Sequence, residues 1–413
     1  MRQALVLIHR WFGLAAAAFL FVAGATGAVI SWDHELDEWL NPALFHARTE
    51  GPAQPVLALV QQVESADPRA RVTFTPLTTE PGHTLSVSVQ PRLDPATGKP
   101  FELGYNQVAV DPATGQVQGR REWGAISLTR ENLLPFLYKL HYSMHIPEGW
   151  GIELGIWFMG LIAIAWVIDC VIALWISFPK LKAWRRSFEF RWSSGGHRLT
   201  FDLHRSGGVW LWLLVLMLAI TSVSMNLNTQ VMRPVVSMFS PLSPSPFASR
   251  QPAPPDKPIE PGIDATRAIT IAQAEAQRRG IQAPPGGIFL STDFGVWGVG
   301  FYQGDNSHGD GGLGNPWIYV DSRSGALVGV DQPGTGSAGD IFMQSMFPLH
   351  SGRILGVPGR VLISLMGAAV AVLSVTGVLI WMRKRKARVL KPKAVVVQTP
   401  SGAAMPATGK RAA

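Results

Sequence analysis

Cysteine is almost absent from this sequence: Cys170 is the single one among 413 residues. One cysteine cannot form an intramolecular disulfide or a thiolate metal cluster, and a C-x-x-C-H motif for covalent haem attachment is excluded as well. Charged residues are also scarce, at 15% of the chain, whereas hydrophobic residues make up 47% and the mean hydropathy is +0.17. This balance excludes an ordinary soluble enzyme and indicates membrane helices joined to sizeable extramembrane domains.

Four hydrophobic runs are long enough to cross about 30 Å of hydrocarbon, which takes about 20 helical residues. They are residues 5–30, 152–178, 209–227 and 356–382. Lys and Arg cluster between the second and third runs and again after the fourth, so the positive-inside rule places both segments and both termini in the cytoplasm. The formal net charge of +8 is then explained by contact with anionic lipid of the bilayer rather than with nucleic acid.

The sequence predicts a mainly α membrane protein, a four-transmembrane-helix bundle that carries two small α+β domains on its outer side. Alternating hydrophobic segments bounded by turn residues predict the strands of these domains. The predicted divisions are span one (1–31), the first α+β domain (32–140), span two with the histidine segment before it (141–178), a basic cytoplasmic loop (179–204), span three (205–227), the second α+β domain (228–349), span four (350–382) and a basic disordered cytoplasmic tail (383–413).

An internal twofold repeat organises these segments. His9 precedes Thr26 by 17 residues, and the same interval separates His204 from Thr221. Each α+β domain has a strand followed by an Asp-x-x-x-Gly turn, at residues 108–115 and 318–325. His141 then follows the first turn aspartate by 30 residues and His350 follows the second by 29. Two copies of a helix–domain–helix unit explain these matches.

The repeated histidines are candidate ligands of two haem groups. His9 and His204 begin the parallel spans one and three at the same depth, which is the arrangement that a bis-imidazole b-type haem requires. Arg10 and Arg205 follow them and could bind the haem propionates. The alternative is that both His-Arg pairs simply face lipid headgroups.

A second haem is predicted at the outer side, where His141 and His350 are the first choice of ligands. His145 lies one helical turn beyond His141, so it is either an alternative ligand or a hydrogen-bond donor next to one. The alternative for His145 is a solvated loop residue. Asp169, a carboxylate within span two, indicates a proton relay or a hydrogen bond to Thr or Ser.

These motifs together resemble the PepSY-associated transmembrane family, also called the iron-regulated membrane protein family, over roughly residues 5–385. The resemblance rests on His9-Arg-Trp-x-Gly, Leu140-His141-Tyr-x-x-His145, the segment 188–204 and Leu349-His350-x-Gly352. It implies PepSY-like periplasmic domains, a bacterial inner-membrane location and b haems that reduce the iron of ferric siderophores. One departure is Arg205, since many relatives have Asn after this histidine.

The sequence leaves three functions open. The first is a haem-dependent ferric-siderophore reductase for iron uptake, whose electron donor is a quinol or a separate reductase because the chain shows no flavin or nicotinamide site. The second is a membrane-anchored PepSY module that binds or inhibits a partner such as a protease, without redox activity. The third is a cytochrome subunit that serves a soluble partner enzyme. The siderophore, the donor, the direction of electron flow and the oligomeric state do not follow from the sequence.

Overall fold

The structure is a computed structural model that describes residues 1–389; the rest of the predicted tail, 390–413, lies outside the described residues. Helices form most of its regular structure. They are α1 (Arg2–Ile30), α2 (Asp33–Leu40), α3 (Pro42–Phe45), α4 (Val56–Ala66), α5 (Leu133–Ser143), α6 (Leu154–Ser177), α7 (Gly196–Trp210), α8 (Trp212–Asn226), α9 (Arg233–Ser237), α10 (Ala265–Arg278), α11 (Ala338–Ser351) and α12 (Val357–Val389). Short 3-10 turns occur at Leu181–Ser187, Trp192–Ser194, Gly304–Asn306 and Arg353–Leu355, and a π turn occurs at Asn228–Met232.

Three helices, α1, α6 and α12, are long and apolar enough to cross a membrane. The third predicted run is divided instead between α7 and α8, which are bent by 71° at Leu211. Gly207 and Gly208 in the last turn of α7 have low helix propensity, which accounts for the break. The 15 residues of α8 rise only about 22 Å. The chain is therefore a multi-pass membrane protein, and its residues 1–389 contain three such helices, or four if the bent pair counts as one span.

The fourth hydrophobic helix is longer than the sequence predicted. α12 continues from the predicted span end at residue 382 to Val389, so the predicted disordered tail began too early. Residues 383–389 are Arg, Lys, Ala and Val, which are compatible with a helix, and no glycine or proline interrupts them. The basic residues therefore extend the helix beyond its apolar part.

Small residues allow the longest helices to pack closely. A Cβ atom built on Gly24 of α1 would lie 2.6 Å from the carbonyl oxygen of Gly367 of α12, and one built on Gly367 would lie 2.5 Å from the Gly24 oxygen. Only glycine permits this approach, as in the small-residue contacts common between membrane helices. Gly160 of α6 likewise leaves space for the side chain of Leu227, the residue that directly follows α8.

One antiparallel sheet of eight strands contains every strand of the described chain. The strands are β1 (Ala70–Pro76), β2 (Leu85–Pro91), β3 (Gln107–Val110), β4 (Val117–Arg121), β5 (Pro285–Ser291), β6 (Val296–Phe301), β7 (Trp317–Asp321) and β8 (Leu327–Asp331). Their order is β4-β3-β2-β1-β5-β6-β7-β8. Each half of the sheet is thus a four-stranded meander, and the halves come from the two predicted α+β segments.

The two halves join where β1 pairs with β5. Phe74 lies opposite Phe289, and Thr75 lies opposite Ile288. Each half also has its own hydrophobic core, since Leu59 of α4 packs on the first half and α10 packs on the second. The two segments therefore have separate hydrophobic cores but share one continuous sheet. Sequence periodicity does not reveal the pairing of β1 with β5, because these strands are far apart in the chain.

Polar contacts hold the first half of the chain against the sheet-side end of α12. Arg360 is 6% exposed; its Nε donates to the Ser31 carbonyl at 2.8 Å, and its Nη2 donates to Glu35 at 2.7 Å. Trp32 Nε1 donates to Ser364 Oγ at 2.9 Å. These bonds join the end of α1 and the start of α2 to α12.

The same aspartate turn closes the last hairpin of each half. Asp111 and Asp321 each accept hydrogen bonds from the backbone N–H groups two and three residues further on, at 2.7–3.2 Å. Gly115 and Gly325 complete the turns with φ of 75° and 77°, in the left-handed region that favours glycine. Burial raises the pKa of both carboxyls, but the hydrogen bonds outweigh it, so each pKa lies below its usual value.

We expect Asp321→Ala to lower the free energy of unfolding of the sheet by about 2–3 kcal/mol, because it removes several hydrogen bonds to a charged acceptor, including that from Arg250. The wild-type stabilisation should be complete above the unfolded-state pKa of about 3.9 and should be lost as the pH falls toward the lower folded-state pKa. Thermal unfolding in detergent across this pH range measures both effects. Asp256→Ala, at an exposed linker position, is the control and should change neither.

Candidate functional site

Four of the predicted histidines lie in two pairs at opposite ends of the helices. His9 of α1 lies beside His204 of α7, with 6.0 Å between ring centroids, and we call these the far pair. His141 of α5 lies beside His350 of α11, with 6.1 Å between centroids, and we call these the sheet-side pair. Residue 26, which contacts His141, is 17 residues from His9 along α1, a rise of about 25 Å.

Hydrogen bonds fix the orientation of the sheet-side rings. His141 Nδ1 lies 2.9 Å from the Ala23 carbonyl oxygen and 3.2 Å from Thr26 Oγ1, both on α1. His350 Nδ1 lies 3.0 Å from Thr221 Oγ1 on α8. Each imidazole is therefore anchored to a helix other than its own.

The far pair is anchored through the same ring atom. His204 Nδ1 lies 3.0 Å from the Leu373 carbonyl oxygen and 3.2 Å from Thr376 Oγ1 on α12. His9 Nδ1 lies 3.0 Å from both carboxylate oxygens of Asp169 on α6. The predicted alternatives for Asp169 were a proton relay or a bond to Thr or Ser; the structure places it on His9.

These contacts determine which ring nitrogen carries the proton. A backbone carbonyl and a carboxylate only accept, so Nδ1 is the donor in His9, His141 and His204. Thr221 gives its own hydroxyl proton to a carbonyl of α8, so it accepts from His350. In the neutral rings Nε2 then holds a lone pair, and none of the four Nε2 atoms has a hydrogen bond within residues 1–389. All four histidines are therefore prepared to bind a metal through Nε2.

Two glycines provide the space in which these rings lie. A Cβ atom on Gly27 would lie 2.9 Å from His141 Cε1, and one on Gly377 would lie 3.1 Å from His204 Cε1. Each glycine follows the threonine that contacts the ring, Thr26 or Thr376. In each pair, the ring of one histidine thus packs against a Thr-Gly dipeptide of a long helix. The repeated interval from His9 to Thr26 did not predict that Thr-Gly dipeptides hold the rings.

The ring spacing fits iron held between two imidazoles. Two iron–nitrogen bonds of about 2 Å on opposite sides of one ion place the ring centres about 6 Å apart. The two pairs have 6.0 and 6.1 Å. Within residues 1–389, the rings of neither pair are hydrogen-bonded to each other.

The predicted propionate partners contain unpaired buried atoms. Nε of Arg10 and Nε of Arg205 are both buried, and neither has a hydrogen-bond partner among the described residues. Each arginine follows a histidine of the far pair in the sequence. An unpaired buried guanidinium N–H is costly, and a bound anionic group such as a haem propionate would satisfy it.

His145 does not lie with the other two histidines of the sheet side. α5 ends at Ser143, because Met144 and His145 adopt left-handed φ of 54° and 51°. The His145 ring stacks on Phe136 at 4.6 Å, and its Nε2 lies 2.9 Å from the Phe136 carbonyl oxygen. The ring therefore caps its own helix, away from the pair of His141 and His350.

A family model described as "PepSY-associated TM region" matches residues 6–384, essentially the whole chain. No curated protein matches the sequence.

Proposed function

Because the chain belongs to the PepSY-associated TM family, we propose that it is a di-haem b-type cytochrome of the bacterial inner membrane that reduces ferric siderophores. The observation that carries this proposal is the spacing of 6.0 and 6.1 Å between paired imidazoles whose Nδ1 atoms are all engaged elsewhere. A pair of histidines at each end of the same helices provides two redox positions on a path across the membrane.

The proposed architecture has four spans and an internal twofold repeat. α7 and α8 together form the bent third span, and the two halves of the sheet are the PepSY-like domains on the periplasmic side. Clusters of Lys and Arg in residues 179–205 and 383–388 support the cytoplasmic placement of that loop and of both termini. The far pair then lies near the cytoplasm and the sheet-side pair near the periplasm.

When bound, haem b supplies one-electron redox chemistry at each pair. His9 and His204 would hold the inner haem, with Arg10 and Arg205 at its propionates, while His141 and His350 would hold the outer one. The Nδ1 anchors keep each imidazole in the ligating tautomer and orientation. The apolar helices exclude water and keep the local dielectric low.

The proposed substrate is Fe(III) in a siderophore on the periplasmic side, and a quinol or a separate reductase supplies the electrons. Each Fe(III) gains one electron and becomes Fe(II), which hard oxygen ligands hold less tightly because it has a lower charge. The iron is thus released for uptake while the chelator remains intact.

The proposal is tested on the full chain, expressed with ample haem and purified in mild detergent. Reduced-minus-oxidised spectra should show a b-type α band with two haems per chain. In proteoliposomes with quinol inside, ferric hydroxamate or catecholate chelates outside should produce Fe(II), detected with a chromogenic Fe(II) trap.

Protein without a b-type band would overturn the proposal, and capture of a periplasmic protease by such protein would identify the non-redox PepSY module. Two haems without Fe(II) production from any chelate would overturn the substrate assignment. That result would identify a cytochrome subunit that serves a partner enzyme.

The anionic partner of His9 should lower the redox potential of the inner haem, because a carboxylate makes the imidazole a stronger donor and favours Fe(III). Asp169→Thr gives His9 the type of partner that His204 has in Thr376. We expect the inner potential to rise by about 59 mV or more, a tenfold change in the reduced-to-oxidised ratio for one electron. Spectroelectrochemical titration measures both haems separately.

Cys170→Ala alters the neighbouring buried residue without touching His9 and is the matched control; both potentials should stay unchanged. An Asp169→Thr protein with two haems and an unaltered inner potential would show that the carboxylate does not tune this site.

A further inference from the structure

Three potential metal ligands converge beside the first half of the sheet. Glu38 lies on α2, His46 directly follows α3, and His83 lies two residues before the start of β2. Glu38 Oε1 is 3.4 Å from His46 Nε2 and 3.2 Å from His83 Nε2. One ligand atom from each of the three residues lies within 4.8 Å of the others. We call this group the Glu-His-His cluster.

The backbone holds the two histidines of the cluster side by side. His46 and His83 form an antiparallel β-bridge, and Ala47 N donates to the Gly82 carbonyl at 2.9 Å next to it. The ring centroids are 5.1 Å apart. The two imidazoles are therefore positioned by backbone hydrogen bonds, so an ion would not have to order a loop in order to bind.

The carboxylate of the cluster is also held in place. Asp37, the residue before Glu38, forms a salt bridge with Arg121 of β4 at 2.7 Å, and both side chains are at most 8% exposed. This bridge fixes α2 on the sheet. Glu38 Oε1 faces both histidines. Because the Glu38 side chain is 27% exposed, an ion from solvent can still reach it.

A further contact orients the His83 ring for ligation. His83 Nδ1 lies 3.3 Å from the Pro81 carbonyl oxygen, which can only accept. When an ion binds Nε2, which faces Glu38, Nδ1 can keep its proton and donate it to this carbonyl. Metal-binding histidines typically use their second nitrogen in this way. Without the ion, Nε2 lies within hydrogen-bonding distance of the Glu38 carboxylate, which accepts from it.

We propose that Glu38, His46 and His83 bind a divalent first-row transition-metal ion such as Zn²⁺ or Fe²⁺. Two imidazoles and one carboxylate suit these ions, whereas Mg²⁺ and Ca²⁺ require oxygen ligands. Three protein ligands leave coordination positions open to water or to oxygens of a second ligand. This inference is independent of the proposed function, since none of the three residues belongs to either histidine pair.

The test measures metal binding to the chelator-treated full chain by isothermal titration with Zn²⁺, and counts bound ions by elemental analysis after dialysis. The double variant His46→Gln/His83→Gln should bind one ion fewer per chain than the wild type. Glu38→Gln should bind this ion at least tenfold more weakly. Fe²⁺ under anaerobic conditions should compete for the site, whereas Mg²⁺ should not.

His34→Gln is the matched control, because His34 lies on α2 one turn before Glu38 and outside the cluster; it should bind as the wild type does. Both histidine pairs are intact in all variants, so the difference between proteins isolates the cluster even if the pairs bind metal. Equal unfolding temperatures of the metal-free proteins establish that the variants fold.

Equal ion counts in the wild type and the folded double variant would overturn the proposal. The cluster would then be a hydrogen-bonded His–Glu group in which Glu38 accepts from both imidazoles. An equal loss in His34→Gln would likewise contradict it, since binding would not depend on the three converging residues.

Discussion

His350→Ala should remove the sheet-side haem and leave the far haem, so the purified protein should contain about half of the wild-type haem. His350 contributes one of the two imidazoles of the sheet-side pair, and the His141 ring centroid is 6.1 Å from its own. Among the described residues, His350 has the aromatic ring that lies opposite His141, so alanine would leave a single imidazole to hold a haem there. The rate of Fe(III) reduction by proteoliposomes should fall by on the order of 100-fold or more. Removing only the hydrogen-bond partner of a metal ligand already lowers activity, and removing the ligand itself should lower it further.

Haem content and reduced-minus-oxidised spectra measure this result, and His9→Ala should remove the other half of the absorbance. His145→Ala is the control. Since the His145 ring bonds to Phe136 in its own helix, both haems should remain. Full haem content in His350→Ala would contradict the assignment, and loss of the outer haem in His145→Ala would instead favour the alternative ligand.

The membrane helices were the most predictable part of the fold. Residues 5–30 and 152–178 were predicted to span, and the structure has Arg2–Ile30 and Leu154–Ser177, because long apolar runs bounded by polar segments leave little choice. The division of the third run at Leu211 was not predicted, since hydropathy averages over a window and does not register two adjacent glycines.

The duplicated pattern also led to the histidine pairs, whose rings the structure brings to about the spacing of a bis-imidazole iron. Ligation itself stays a prediction. The pairing of β1 with β5 and the cluster of Glu38, His46 and His83 were beyond sequence reasoning. Both depend on contacts between segments far apart in the chain, and neither His46 nor His83 has a partner in the repeat.

Gly27→Ala is expected to weaken binding of the sheet-side haem by about 10- to 100-fold, a loss typical of disturbed ligand orientation. The new Cβ would lie 2.9 Å from His141 Cε1, closer than real side chains approach one another. The ring cannot withdraw freely, because its Nδ1 is bonded to the Ala23 carbonyl at 2.9 Å. It must therefore give up either this anchor or its alignment with His350. Titration of haem into the purified apoprotein measures the affinity.

Gly13→Ala is the matched control on the same helix, since a Cβ atom there meets nothing within 4 Å. In a helix interior, glycine to alanine is favourable by about 1 kcal/mol through propensity alone. Propensity therefore predicts greater or unchanged stability for both variants, whereas the steric argument predicts haem loss for Gly27→Ala only. Equal haem affinity in the two variants would show that Gly27 does not form the seat of His141. Gly377→Ala, with a contact of 3.1 Å to His204 Cε1, should show a smaller loss, confined to the far haem.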